Sequence, residues 1–193
     1  MRPGVLEHGY GVGPTLLFRL IRLVSGRPVP DAARVTFYRR DFYGVQMKKF
    51  TQETMRGHSR WSVGDRELMA AYVSKLNDSA FCVGAHTATA ARAYQDRERV
   101  AAVLADLDSA PIEDELSATL RMLGKLTVEG TLTADDIRAV RFAGVSPEQI
   151  QDALAVGFAF NTTDRLANAF AFDVLSQEGF DAGAKYLLKR GYR

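Results

Sequence analysis

Apolar residues recur at helical spacing along most of the chain, and no stretch alternates apolar and polar positions with the period of a strand. Leu16, Leu17, Leu20, Ile21 and Val24 form the first such run. Pro14 suits its opening position and Gly26 ends it. Before it, Gly4, Gly9, Gly11 and Gly13 predict an irregular arm. Pro28 and Pro30 mark a linker, after which Asp31 is placed to cap a helical stretch. That stretch runs with breaks to about Met55 and carries Val35, Phe37, Phe42, Val45 and Phe50.

The rhythm resumes over 65–76 with Leu68, Met69, Tyr72, Val73 and Leu76. Asn77, Asp78 and Ser79 compete with helical hydrogen bonds and predict a turn, with Ser79 placed to cap the helix that follows. An alanine-rich helix follows over 79–96, and another over 112–128. Thr133 with Asp136 opens a short helix that closes near Gly144. Ser146, Pro147 and Gln149 give a strong start signal for a helix reaching toward 176, and a last one is predicted over 181–189. The fold class is therefore all-α. Residues 1–60 read as a helical extension packed on a core of 61–193, in one structural domain.

Composition narrows the function. Apolar residues make up 47% of the 193, enough for a core, and charged residues 25%. The formal net charge of +2 gives no strong pull toward nucleic acid or membrane, although Arg39, Arg40, Lys48, Lys49, Arg56 and Arg60 crowd the first part. The segment 136–154 has the outline of a helix-turn-helix. Between Phe142 and Asp164, however, it holds no Lys or Arg, and Glu148 and Asp152 would repel phosphates. The run 16–24 is interrupted by Arg19 and Arg22 and is too short to cross a bilayer, so it reads as amphipathic. One cysteine allows no disulfide within the chain, and a reduced, cytoplasmic setting is expected.

That cysteine is the best candidate for chemistry. Cys82 falls in the first turns of a predicted helix, where free N–H groups and the helix dipole favour an anion, so its thiol pKa is expected to be depressed. His86 follows four residues later on the same face and could steady a thiolate or accept its proton. Glu67 lies about as far before the turn at Asp78 as His86 lies after it. In an antiparallel pair the two stand at similar heights, so Glu67 can orient the imidazole. Plainer roles stay open: a buried small side chain for Cys82, a structural hydrogen bond for His86, a dipole-complementing charge for Glu67. His8 and His58 have no ligand spacing around them, and neither a metal nor another cofactor is expected.

The stretch DRELMAAYVSKLNDSAFCVGAHTATAA (65–91) resembles the core of the alkylhydroperoxidase D and carboxymuconolactone decarboxylase superfamily, most of all its peroxidase-related group. LTADDIRAVRFAGVSPEQIQDALAVGFAFNTTDRLANAF is similar to the second half of that core. The resemblance implies a helical bundle of the alkylhydroperoxidase D type. Peroxidases of the family carry a glutamate, a Cys-x-x-Cys pair and a histidine four residues after the second cysteine. Glu67, Cys82 and His86 match the glutamate, the peroxide-reacting cysteine and the histidine. Ser79 stands where the resolving cysteine would be.

A hydroperoxide substrate is therefore implied, with an external thiol or a second subunit as reductant. The decarboxylase branch implies an alternative, acid–base chemistry by Glu67 and His86; a non-catalytic, redox-sensing or small-molecule-binding oligomer is a third. A homo-oligomer is expected, since Val156, Phe158, Phe160, Leu166, Phe170 and Phe172 spread over more than one helix face.

Overall fold

A computed structural model describes residues 4–192. After a 3-10 turn, Gly4–Leu6, come α1 (Val12–Ser25), α2 (Asp31–Tyr38), a π-helical turn (Arg40–Gly44) and α3 (Val45–Arg56). Then follow α4 (Val63–Leu76), α5 (Ala80–Tyr94), α6 (Arg97–Ala105) and α7 (Asp114–Glu129). The last are α8 (Ala134–Phe142), α9 (Pro147–Ala169) and α10 (Gln177–Arg190). There is no strand among the described residues.

Local chemistry accounts for most of the boundaries. Thr133 with Asp136 and Ser146 with Gln149 form the capping boxes expected of them. Ser62 with Asp65 forms a third, which starts α4 two residues before the expected position. α6, which the periodicity did not reveal, is capped by Asp96 on the Arg99 N–H. Two expected caps are different in the structure. Asp31 lies inside the first turn of α2, after Pro30, and its carboxylate accepts from the Asp173 N–H at 2.9 Å. Ser79 precedes α5, but its side chain makes no capping hydrogen bond.

The main core lies among α4, α7 and α9, where Leu68, Met69, Val73, Leu120, Leu123, Val156 and Phe160 are buried. A smaller cluster surrounds the start of α5. It draws Leu6 and Val35 from the N-terminal part, Phe81 and Cys82 from α5, and Ala167, Phe172 and Phe180 from the C-terminal part. α4 and α5 are the most extensively packed pair, joined by a turn in which Asp78 takes a left-handed φ of 50°. α10 seats on α5 so closely that a Cβ at Gly84 would stand 2.4 Å from the Phe180 ring.

The apolar faces of α9 are covered differently from the expectation. α3, α4, α5 and α7 of the same chain pack on it, and Val156 and Phe160 are buried; Phe158 is exposed. The large apolar surface left in solvent is instead on α1, where Val12, Leu16, Leu20, Leu23 and Val24 are all more than half exposed. Among the described residues no helix is long and apolar enough to cross a membrane.

Candidate active site at the start of α5

α4 carries Glu67 inward on its second turn, and α5 brings His86 to meet it. The Glu67 side chain is completely buried. One carboxylate oxygen, Oε2, lies 2.7 Å from His86 Nδ1. The other, Oε1, accepts from Arg56 Nη2 at 2.6 Å and from the Tyr192 hydroxyl at 2.8 Å. The height match read from the turn is thus realised as a direct contact. With Nδ1 engaged, Nε2 is the imidazole nitrogen left for chemistry. The His86 ring is fixed edge-on against Phe160, 4.3 Å between centroids. The Arg56 guanidinium sits over the Tyr192 ring at 5.0 Å. Burial by itself would raise the Glu67 pKa. The hydrogen bond and charge of His86, with the Arg56 guanidinium, outweigh it and hold the carboxyl below its ordinary value. Tyr192 is driven the other way, by burial and by the negative charge of Glu67.

Cys82 sits on the first turn of α5, as its position implies, and is 1% exposed. Its thiol pKa is raised, not depressed. Burial is the largest cause, the negative charge of Asp164 the next, and a lowering contribution from the Ser79 hydroxyl only partly offsets them. A helix N-terminus therefore does not decide the state of this thiol; desolvation and an adjacent acid do. Asp164 comes from α9 and is also completely buried. It accepts from the Ser74 hydroxyl at 2.8 Å and from Asn77 Nδ2 at 2.9 Å, and takes the Cys82 thiol as a weak donor. Burial raises its pKa, against the lowering effect of those donors. Ser79 is fully buried next to Cys82, and its Oγ has no hydrogen-bond partner of good geometry. Tyr43, from the π-helical turn, closes over the same region. Burial raises its pKa, a hydrogen bond with Thr163 partly offsets this, and negative charge on Cys82 would raise it further.

The site thus gathers Glu67, Ser79, Cys82 and His86 around the start of α5, with His86 committed to Glu67 and the thiol to Asp164 and Ser79. Arg56, Tyr192 and Asp164 were not singled out as site residues from sequence. Asp164 had a signal: it falls on the stripe of Val156, Phe160 and Ala167, an acid in register with the buried face of α9. Arg56 stood only among the basic residues that crowd the first part of the chain, and nothing near Tyr192 marked it. Among the described residues, no group of three His, Cys, Asp or Glu side chains could hold a metal ion.

Residues 46–111 match the model of the carboxymuconolactone decarboxylase family, a stretch that contains Glu67, Ser79, Cys82 and His86. Over that stretch the chain is similar to the carboxymuconolactone decarboxylase family. Its fold is similar to that of an uncharacterized peroxidase-related protein from Silicibacter sp. TM1040, with a TM-score of 0.74 at 21% identity over 89% of this chain and 90% of that one. It is similar as well to an uncharacterized peroxidase-related protein with an alkylhydroperoxidase AhpD core from Ralstonia eutropha JMP134, with a TM-score of 0.73 at 19% identity over 95% of each chain. A third similar structure is the debrominase Bmp8, captured as a cysteine-to-alanine variant with 2,3,4-tribromopyrrole, with a TM-score of 0.71 at 14% identity over 91% of each chain. No curated protein matches the chain in sequence.

Proposed function

We propose that this protein is a single-cysteine thiol oxidoreductase that reduces hydroperoxides. The observation that carries the reading is the placement of its only cysteine, buried in the first turn of α5, one turn before an imidazole that a buried carboxylate holds at 2.7 Å. The Cys82 sulfur attacks the terminal peroxide oxygen, the O–O bond breaks, and an alcohol leaves with Cys82 as a sulfenic acid. With no second cysteine, an external thiol condenses with the sulfenic acid, releasing water and forming a mixed disulfide. A second thiol then displaces it and restores Cys82. His86 positions the peroxide through Nε2, and Glu67 fixes the ring. A cytoplasmic setting, where thiol reductants are abundant, fits this cycle.

Stoichiometric peroxide in the presence of a sulfenic-acid trap, followed by mass spectrometry, tests the proposal. Prompt labelling at Cys82 is expected. An inert thiol alongside an activity that needs Glu67 would move the assignment to acid–base chemistry of the decarboxylase type. The Glu67–His86 pair favours that second reading because it is complete without sulfur. A brominated pyrrole belongs in the same assay as a second electrophile for the thiol, given the debrominase of like fold.

We further propose a homo-oligomer, joined through the exposed apolar face of α1. Sedimentation should show association at micromolar concentration, and Leu16→Glu with Leu20→Glu should abolish it. A wild-type monomer would end the proposal.

A further inference from the structure

A thiol sealed beside an acid cannot rely on a standing thiolate, so the proton must have somewhere to go when the sulfur reacts. Asp164 is the side chain built for it. Its two oxygens are aimed by Ser74 from α4 and by Asn77 from the turn before α5, at 2.8 and 2.9 Å, and the carboxyl group meets the Cys82 thiol. The Ser79 hydroxyl, fully buried and without a good hydrogen-bond partner, lies on the same sulfur. His86 is turned to Glu67 instead.

We infer that Asp164 is a catalytic base for Cys82: it takes the S–H proton as the sulfur attacks, while Ser79 donates a hydrogen bond to the sulfur as it gains charge. The inference rests on the thiol-oxidoreductase reading and adds a residue to it. In the peroxide step, sulfur forms a bond to the terminal oxygen and is oxidised to the sulfenic acid. The O–O bond breaks, the proton passes from sulfur to Asp164, and Asp164 returns it to the departing oxygen as the alcohol. Protons and electrons balance without a further co-reactant. The titratable groups facing this pair are Tyr43 from the π-helical turn and His86 from α5; Ser74 and Asn77, on the α4 side, do not titrate.

The test reads the rate of Cys82 alkylation by iodoacetamide against pH, which needs no peroxide. In the wild type the proton is handed to Asp164, and the rate should be nearly flat between about pH 6 and 9. In Asp164→Asn the reaction must wait for free thiolate. The rate should then fall about tenfold per pH unit below the thiol pKa, and be at least about tenfold under wild type at pH 6. A purely structural role for Asp164 would change the rate by one factor at every pH and leave the slopes parallel; parallel slopes overturn the inference. Should Asp164→Asn not fold, Asn77→Ala serves. It removes one hydrogen bond to the carboxylate, so the acid end of the plateau should move to higher pH, and an unmoved end overturns the inference. If the alkylation profiles differ as expected but peroxide leaves Cys82 unlabelled, the peroxidase reading fails while the role of Asp164 stands.

Discussion

Glu67 and Asp164 are both completely buried, both face α5, and both hold three donors, yet they titrate in opposite directions. Glu67 is met by the Arg56 guanidinium and the His86 imidazole as well as the Tyr192 hydroxyl. Asp164 is met by a serine hydroxyl, an asparagine amide and a thiol, all neutral. Burial costs each carboxylate its hydration. Only where a cation replaces the water does the charged form come out ahead. One acid is thereby held ready as a fixed charge that orients a ring. The other is held closer to its protonated form, as a proton acceptor for sulfur must be.

The contrast breaks most visibly at Glu67. Glu67→Ala leaves Arg56 buried without its carboxylate, and we expect a loss of about 3–5 kcal/mol, read by urea denaturation. Glu67→Gln should recover part of it by keeping the shape. Asp164→Asn, by contrast, should cost no more than about 1–2 kcal/mol, since the amide can still accept from Ser74 or Asn77 and no cation is orphaned. Equal losses at the two positions would mean that Glu67 is no better compensated than Asp164.

Stability against pH sharpens the same comparison with a smaller effect. The folded-state pKa of Glu67 is depressed, so its contribution is present above the unfolded value of about 4.3 and is lost as pH falls through the folded pKa. For Asp164 the folded pKa is raised. Its contribution is full below the unfolded value of about 3.9 and is lost as pH rises through the folded pKa. Glu67→Gln should therefore flatten the acid limb of a Tm–pH curve, and Asp164→Asn should steepen it, favouring the variant as pH rises above about 4. A shift of the same sign in both variants would contradict the assignment.

The smallest expected change in stability is at Ser79. Its side chain makes no capping bond, so Ser79→Cys removes no cap and should alter stability by less than about 1 kcal/mol. Position 79 lies against Cys82, and the variant should form an intramolecular disulfide under mild oxidation and turn over faster with a dithiol. Non-reducing peptide mapping checks this; the absence of a disulfide would remove Ser79 from the place of a resolving cysteine.

Helix starts at Thr133 and Ser146 were legible because a capping box is a short-range bond between residues three apart. The Glu67–His86 contact was legible for a related reason: a short turn between two helices fixes register, and register fixes height. α6 escaped because its nine residues bury only Val100 and Val103, too few to display a period. Asp31 looked like a cap because its own sequence neighbourhood said so, while its partner is the Asp173 N–H from far along the chain.

The sequence by itself determined an all-helical chain, the hairpin that joins α4 to α5, and the pairing of an acid with an imidazole across it. Only the tertiary structure decided what state Cys82 is in. Its position at a helix start argued for a thiolate, but α9 delivers Asp164 to it, and Leu6, Val35, Phe172 and Phe180 belong to the same buried cluster. Likewise α3 and the end of the chain deliver Arg56 and Tyr192 to Glu67. The reason is that the free energy of ionising a buried group is a sum over everything near it in space, hydration lost included. Local spacing records only the neighbours that share its helix or the adjoining turn.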